Sequence, residues 1–366
     1  MIRILQLVAC ISSGGMEAVI MNYYRNLDRN QIQFDFLVRL SYQESHFYED
    51  EIKSLGGKIY RIPFSSVIDK LLYPCRLYIF FIKHREYRIV HAHMDVMSAF
   101  YLFIAWLARV PVRIAHSHNT SFYNDWKGKI KFMLKPFVGL FATKKMACGF
   151  DAAKWLFGKN IDKVLILKNA IDTNKFKFNE DVRLDIRKQL GLTDKIVFGH
   201  IGHFELQKNH EFLIDVFNFI KKKNKDVVLL LLGDGSLENA IKQKVNDLSL
   251  NDNVMFLGVK KDVSSYLMSM DYFIFPSFFE GFSLALLEAQ CSGLRCFVSS
   301  NIPPEINVTG LVSFLSIFDS PSAWCDYILS NLIYIREDKS LIIENKGLSI
   351  KNESSILMNF YLTNYI

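Results

Sequence analysis

Glu280 and Glu288 stand eight residues apart in the stretch FPSFFEGFSLALLE, residues 275–288, with Gly281 directly after the first. One carboxylate in a loop and another inside the following helix suit the two ends of an elongated polar ligand. The helical pattern starts near Phe282, which predicts Glu288 roughly two turns in, about 12 Å further along the axis than Glu280 in the loop. A helix N-terminus offers unpaired N–H groups and a positive dipole end, a setting for an anion such as a diphosphate. The same spacing fits an ordinary helix with one glutamate near its start and another on a solvated face. Small and basic residues recur where apolar runs end. Gly14-Gly15 follows the first apolar run, Gly202 precedes His203 and Lys208-Asn209, and Gly233-Asp-Gly235 closes another run. Glycine at such points lets backbone approach a ligand closely, although Gly14-Gly15 lacks the full G-x-G-x-x-G pattern.

Two histidine pairs also close apolar runs: His91 and His93 in residues 88–93, and His116 and His118 in residues 112–118. If both runs are parallel strands, their carboxyl ends face the ligand crevice, which makes His93 and His118 active-edge residues. His91 and His116 read equally well as structural histidines. Strand alternation is taken to turn them away from His93 and His118. No acidic residue or cysteine accompanies the four at ligand spacing, so no metal is expected.

The elements that must position these residues alternate. Residues 2–11, 34–40, 58–62, 88–93, 112–118, 146–148 and 164–167 read as strands, with helical patterns at 17–27, 66–84 and 97–108. Such alternation argues for a parallel sheet covered by helices. Polar residues 173–190 read as an interdomain connection. A second series follows, with strands at 196–201, 227–232, 254–257, 271–275 and 295–299. Its helices fall at 210–219, at 236–248 with Ser236 as N-cap, at 263–270 and from 282 onward. From Pro321 the chain reads mainly helical. The expected architecture is therefore α/β, with two Rossmann-like domains at 1–170 and 171–345 and a helical tail at 346–366.

Bulk properties agree. At 366 residues the chain suits two domains, and its net charge of +7 favours anionic partners. Six scattered cysteines without a C-x2-C pair suggest a reduced compartment, hence a cytoplasmic location, and no zinc or disulfide framework. The N-terminal apolar run is short and carries Gln6, so it reads as a strand and not a signal peptide. The apolar run 97–108 is too short to span a membrane. Residues 124–145 interleave Lys127, Lys129, Lys131, Lys135, Lys144 and Lys145 with large apolar residues. They fit a basic helix resting on anionic lipid or a core-facing helix with a solvated lysine face. No nucleic-acid module accompanies the basic excess.

The order Gly14-Gly15, His93, His118, Asn169-Ala-Ile-Asp172, Gly202 with Lys208-Asn209, Gly233-Asp-Gly235 and Glu280-x7-Glu288 resembles the retaining GT-B glycosyltransferases of family 4. The likeness is to the bacterial capsule and exopolysaccharide enzymes, and it covers nearly the whole chain to about residue 320. It implies two Rossmann-like domains facing each other across a cleft, the tail packing back on the first. The resemblance assigns Glu280 to the donor sugar hydroxyls and Glu288 to the ribose, whose vicinal diol a carboxylate accepts in pairs. Backbone N–H groups of Gly281, Phe282, Ser283 and Leu284 meet the diphosphate and sugar, and Lys208 neutralises the departing diphosphate. Gly15, beside Gly14, brings backbone to the donor phosphate, and His118 sits by the anomeric centre. The implied reaction retains configuration by a same-face route.

No Asp-x-Asp triplet occurs, which fits a metal-free enzyme with no cofactor beyond the nucleotide-sugar co-substrate, a UDP-sugar by preference. The acceptor would be a glycan or a polyprenyl-diphosphate-linked sugar, with the enzyme peripheral on the inner membrane face. Two departures stand out: His203 replaces the family's usual arginine after Gly202, and Gly293-Leu-Arg-Cys296 lacks a proline. Rival readings are a UDP-sugar 2-epimerase of the same fold, a non-enzymatic basic membrane-binding protein, and an inactive paralogue.

Overall fold

Val227–Leu232 reads VVLLLL and is buried along its whole length, as a strand covered on both faces must be. The structure is a computed structural model that describes residues 1–40, 47–119, 126–159 and 161–365. The chain divides into one unit of Met1–Ala170 with Ile350–Ile366 and another of Ile171–Ser349.

In the first unit, β1 (Ile2–Val8), β2 (Ile32–Leu40), β3 (Ile59–Pro63), β4 (Ile89–Ala92), β5 (Val112–Ser117), β6 (Lys144–Ala147) and β7 (Val164–Ile166) form one sheet. Its order is β3-β2-β1-β4-β5-β6-β7, every neighbour parallel. β1 stops at Val8 and does not reach Ile11. Beyond it, Cys10 turns its thiol to Glu17 Oε1 at 3.2 Å. The helix Ile350–Asn364 belongs to this unit, with Tyr361 fully buried and Glu353 Oε2 accepting the Lys168 N–H at 3.0 Å.

In the second unit, β8 (Ile196–Ile201), β9 (Val227–Leu232), β10 (Val254–Gly258), β11 (Tyr272–Phe275), β12 (Arg295–Ser299) and β13 (Val312–Leu315) pair in the order β10-β9-β8-β11-β12-β13, again all parallel. β13 was not anticipated from its short, mixed sequence. Residues 173–190 are not an open connection. They contain the helix Glu180–Leu190, capped by Asn179 and ended by Gly191 in the left-handed region. Its Arg183 and Arg187, one turn apart, reach the two carboxylate oxygens of Asp271 at 2.5 and 3.1 Å. Ser236 is not a helix cap either: the helix is Glu238–Asp247 with Leu237 at its N-cap, and the Ser236 hydroxyl goes to Glu205 at 3.0 Å.

In each sheet the strand order turns once, between β1 and β4 and between β8 and β11. Ligands of parallel α/β sheets bind beyond the carboxyl ends of strands at such a point. Gly14-Gly15 and His93 lie there in the first unit, and Gly202–Asn209 and residues 276–283 in the second.

Candidate functional site

In the second unit two loops emerge side by side. The β8 loop makes a short turn at Leu206–Lys208, and Asn209 takes the left-handed conformation that asparagine tolerates before the helix His210–Lys223. It is tied to the β11 loop by the Phe278 N–H donating to Gln207 O at 2.8 Å, Gln207 Nε2 to Phe279 O at 2.9 Å, and Asn209 Nδ2 to Pro276 O at 3.3 Å. Lys208 and Glu280, 72 residues apart in sequence, meet in a 2.7 Å ion pair with side chains only 16% and 9% exposed. Lys208 Nζ also lies 4.7 Å from the centre of the Phe275 ring. A nearly buried ammonium held between a ring face and a carboxylate is poised to meet an anion.

Glycine is required in the neighbouring turn. A Cβ on Gly233, at φ +141, would sit 2.1 Å from Gly202 O, and one on Gly235, at φ +155, 2.6 Å from the Phe204 N. The turn therefore presses directly on the Gly202–Phe204 backbone. Asp234 between them takes His203: the imidazole Nδ1 lies 2.7 Å from Asp234 Oδ1. Burial, with the charge of Lys208, holds His200 and His210 in the neutral form, His210 down to about 3.

The helix carrying Glu288 is Leu284–Cys291, with Ser283 at the N-cap. It starts two residues later than the pattern predicts, so Glu288 is one turn in, about 6 Å along the axis, and not two turns. Gln290, which the sequence presented only as a helical residue, anchors this helix. Its Oε1 accepts from Val308 N, Thr309 N and the Thr309 hydroxyl, and its Nε2 donates to Leu286 O and Ile306 O. Asn301 Nδ2 donates to Phe278 O at 3.1 Å, holding the β11 loop from the other side.

In the first unit, Gly14 is the N-cap of the helix Gly15–Asn26. A Cβ on Gly14 would lie 2.4 Å from Glu17 Oε2, whereas one on Gly15 would meet no atom within 4 Å among the described residues. At Gly14 only the end of the flexible Glu17 side chain would have to shift, and at Gly15 the space is open for a ligand to approach the backbone.

The histidines overturn one expectation. Residues two apart in a strand share a face, and His91 and His93 accordingly stack at 4.1 Å between ring centres, His116 and His118 at 4.2 Å. The four form one cluster across β4 and β5. His93 Nδ1 lies 2.8 Å from His118 Nε2, and His91 Nε2 lies 3.2 Å from His116 Nδ1. Burial pushes His91, His93 and His116 well below the ordinary imidazole range, and His118 to about 4 against the opposing pull of Asp95. Asp95, at φ +44, takes the His118 backbone N–H on Oδ1 at 3.0 Å. Aspartate tolerates that conformation better than most residues, and its carboxylate fixes the backbone that carries His118. Nothing in the sequence pattern singled Asp95 out.

Nitrogens of His91, His93 and His116 lie within 4.8 Å of one another, a spacing a metal ion would accept. Five of those six nitrogens already have hydrogen-bond partners, and only His116 Nε2 has none among the described residues. The set fits a hydrogen-bonded network better than a ligand sphere.

Two further helices bear on partners. On the helix Val67–Lys83, Val67, Ile68 and Leu71 are exposed. The helix Trp126–Phe141 carries Met133, Phe137 and Leu140 exposed. Its Lys127, Lys129 and Lys131 side chains lie outside the described residues. Among the described residues no helix is long and apolar enough to cross a membrane.

Comparison with known proteins agrees with this arrangement. The family model described as Glycosyl transferases group 1 matches residues 182–332. The chain is 31% identical to EpsF of Bacillus subtilis (strain 168), a protein named as a glycosyltransferase, over 98% of this chain and 96% of the relative. It is 28% identical to the UDP-Gal:alpha-D-GlcNAc-diphosphoundecaprenol alpha-1,3-galactosyltransferase of Escherichia coli, over 73% and 70% of the two chains. In structure it is similar to Anabaena HepE in complex with UDP and glucose, with a TM-score of 0.80 at 15% identity over 100% of both chains. The two parallel α/β units are thus those of the GT-B architecture.

Proposed function

The chain belongs to the glycosyl transferases group 1 family, and on that premise we propose that it moves a sugar from UDP to a lipid-diphosphate-linked acceptor with retention of configuration. The observation that carries this reading is the nearly buried Lys208–Glu280 pair at the turning point of the second sheet. There an incoming diphosphate takes Lys208 and releases Glu280 to the donor sugar hydroxyls. Glu288, one turn inside its helix, accepts the ribose hydroxyls. Backbone N–H groups from Gly281 to Leu284 and the helix dipole face the diphosphate. Stabilising the departing diphosphate with a cation and N–H dipoles needs no metal. Gly202 brings the β8 loop close to the donor, and His203 contributes from its place on Asp234.

In the first unit, Gly15 offers backbone to the donor phosphate and His118 stands by the anomeric carbon. A diphosphate that assists the acceptor hydroxyl on its own face gives retention without a protein nucleophile. The name of the E. coli relative supports both a UDP-sugar and a lipid-diphosphate acceptor, and the motif order supports a place in capsule or exopolysaccharide assembly. The apolar exposed residues of the helix Val67–Lys83, with Lys70 in the same turn, support peripheral contact with anionic lipid at the inner membrane face.

The test is a thermal-shift screen of UDP-, GDP- and ADP-sugars, followed by turnover with and without a polyprenyl-diphosphate sugar. UDP-sugar binding with acceptor-dependent release of UDP is expected. Conversion of a UDP-sugar without acceptor would instead favour an epimerase. Vesicle sedimentation with Val67→Ser and Leu71→Ser combined should lose binding to anionic lipid, and unchanged binding removes the membrane reading.

A further inference from the structure

The histidine cluster does not end at the strands. Gln6 on β1 and Tyr361 on the helix Ile350–Asn364 are both fully buried and both reach into it. The Gln6 amide presents Nε2 to the Tyr361 hydroxyl at 3.4 Å and Oε1 to His93 Nε2 at 2.8 Å. Tyr361 in turn lies 2.6 Å from His91 Nδ1. A hydroxyl has one hydrogen. If Tyr361 spends it on His91, its oxygen is left to accept from Gln6, and the direction of every later bond follows.

Because Gln6 Oε1 can only accept, His93 carries its hydrogen on Nε2 and its Nδ1 is bare. Bare Nδ1 then accepts from His118 Nε2–H across 2.8 Å. A neutral imidazole holds one hydrogen, so His118 Nδ1 is a lone-pair acceptor. On the parallel branch His91 donates Nε2–H to His116 Nδ1. Burial supports the argument by keeping all four rings neutral. The cavity beside the network, lined among others by Gln6, His91, His93, His116 and Tyr361, measures ≈ 10 Å³, about one water and far below a sugar. That cavity is therefore too small to admit a sugar.

We propose that Gln6 and Tyr361 are positioning residues that, through His93, hold His118 in the tautomer with hydrogen on Nε2 and a bare Nδ1, ready to accept a hydrogen bond from a sugar hydroxyl. The consequence rests on the role given to His118 above. It also gives the C-terminal helix, 355 residues from Gln6 in sequence, a part in the chemistry of the first unit.

Long-range ¹⁵N–¹H correlation of the full chain labelled at histidine reads the tautomers directly. His118 should show a protonated Nε2 and a bare Nδ1 at neutral pH, and the opposite tautomer overturns the proposal. In steady-state turnover with the UDP-sugar that binds best, Gln6→Met should lower kcat about tenfold with donor KM within about twofold. Tyr361→Phe, nearly isosteric, should mix the His118 tautomers and lower kcat about threefold. Variants that lose thermal stability with tautomer and kcat unmoved would mean a packing role only and overturn it. So would stoichiometric zinc binding that erases the Nε2–H signals. If His118 shows the expected tautomer yet His118→Ala leaves kcat intact, the catalytic reading of His118 fails while the hydrogen-bond chain stands.

Discussion

The two turning points of the two sheets solve different problems with different chemistry. The second unit places a near-buried ammonium and carboxylate in contact, Lys208 on Glu280. The first places four imidazoles, three of them buried, an amide and a phenol in one neutral network. A charged pair at the mouth of a loop can exchange partners when an anion arrives, because the incoming charge replaces the one lost. A neutral network cannot attract a phosphate, but it fixes the direction of each hydrogen bond and resists protonation. Affinity for the nucleotide should therefore reside in the second unit, and orientation in the first.

The strongest way to break that contrast is Lys208→Ala. It strands Glu280 as an unpaired, nearly buried carboxylate and removes the cation meant for the diphosphate. A fall in kcat on the order of 10²–10³ is expected, by analogy with loss of one oxyanion donor. Activity within tenfold of wild type would remove Lys208 from the chemistry.

Acid should affect the first unit most. Unfolded histidines protonate near their ordinary value of 6.5, while His91, His93 and His116 are held well below it and His118 near 4. Their contribution to stability is complete above 6.5 and is lost as the pH falls below it. Each ring kept neutral steepens the loss by about 1.4 kcal/mol per pH unit. Urea unfolding followed by tryptophan fluorescence should show the midpoint dropping on acidification, and a midpoint that stays flat between about pH 7 and pH 5 would contradict the neutral network.

The glutamates sharpen the comparison within the second unit. Glu288→Ala should weaken bare UDP about tenfold, the value of a charge-assisted hydrogen bond. Glu280→Ala should spare UDP affinity and lose transfer. Equal losses of UDP affinity in calorimetry would refute the division between ribose and sugar. The smallest effect is expected at His203. Arginine there keeps a donor for Asp234 and adds a fixed positive charge, so UDP affinity should hold or improve by about threefold; a clear loss would show that the imidazole itself is needed.

Much of this architecture is local and was legible before any coordinates. Alternating strand and helix patterns are set by side-chain periods within ten or so residues, which is why both series, the Gly14-Gly15 turn and the Glu280–Glu288 helix could be placed. The errors were also local. Residues 173–190 looked like a connection because they are polar, yet Arg183 and Arg187 form a helix face whose partner, Asp271, is more than eighty residues away. The helix starts at Leu284 and not near Phe282, with Ser283 extended at its N-cap, after a β11 loop tied down at Phe278 and Phe279 by Gln207 and Asn301.

By itself, then, the sequence determined which residue types stand at the ends of which strands, since chain order, side-chain period and glycine freedom are properties of neighbours. Tertiary structure alone decided who meets whom. It brought Lys208 to Glu280, Asp234 to His203, and Tyr361 to Gln6 and His91. Hydrogen bonds and ion pairs act over about 3 Å, and only sheet register and loop docking bring residues tens to hundreds apart within that reach.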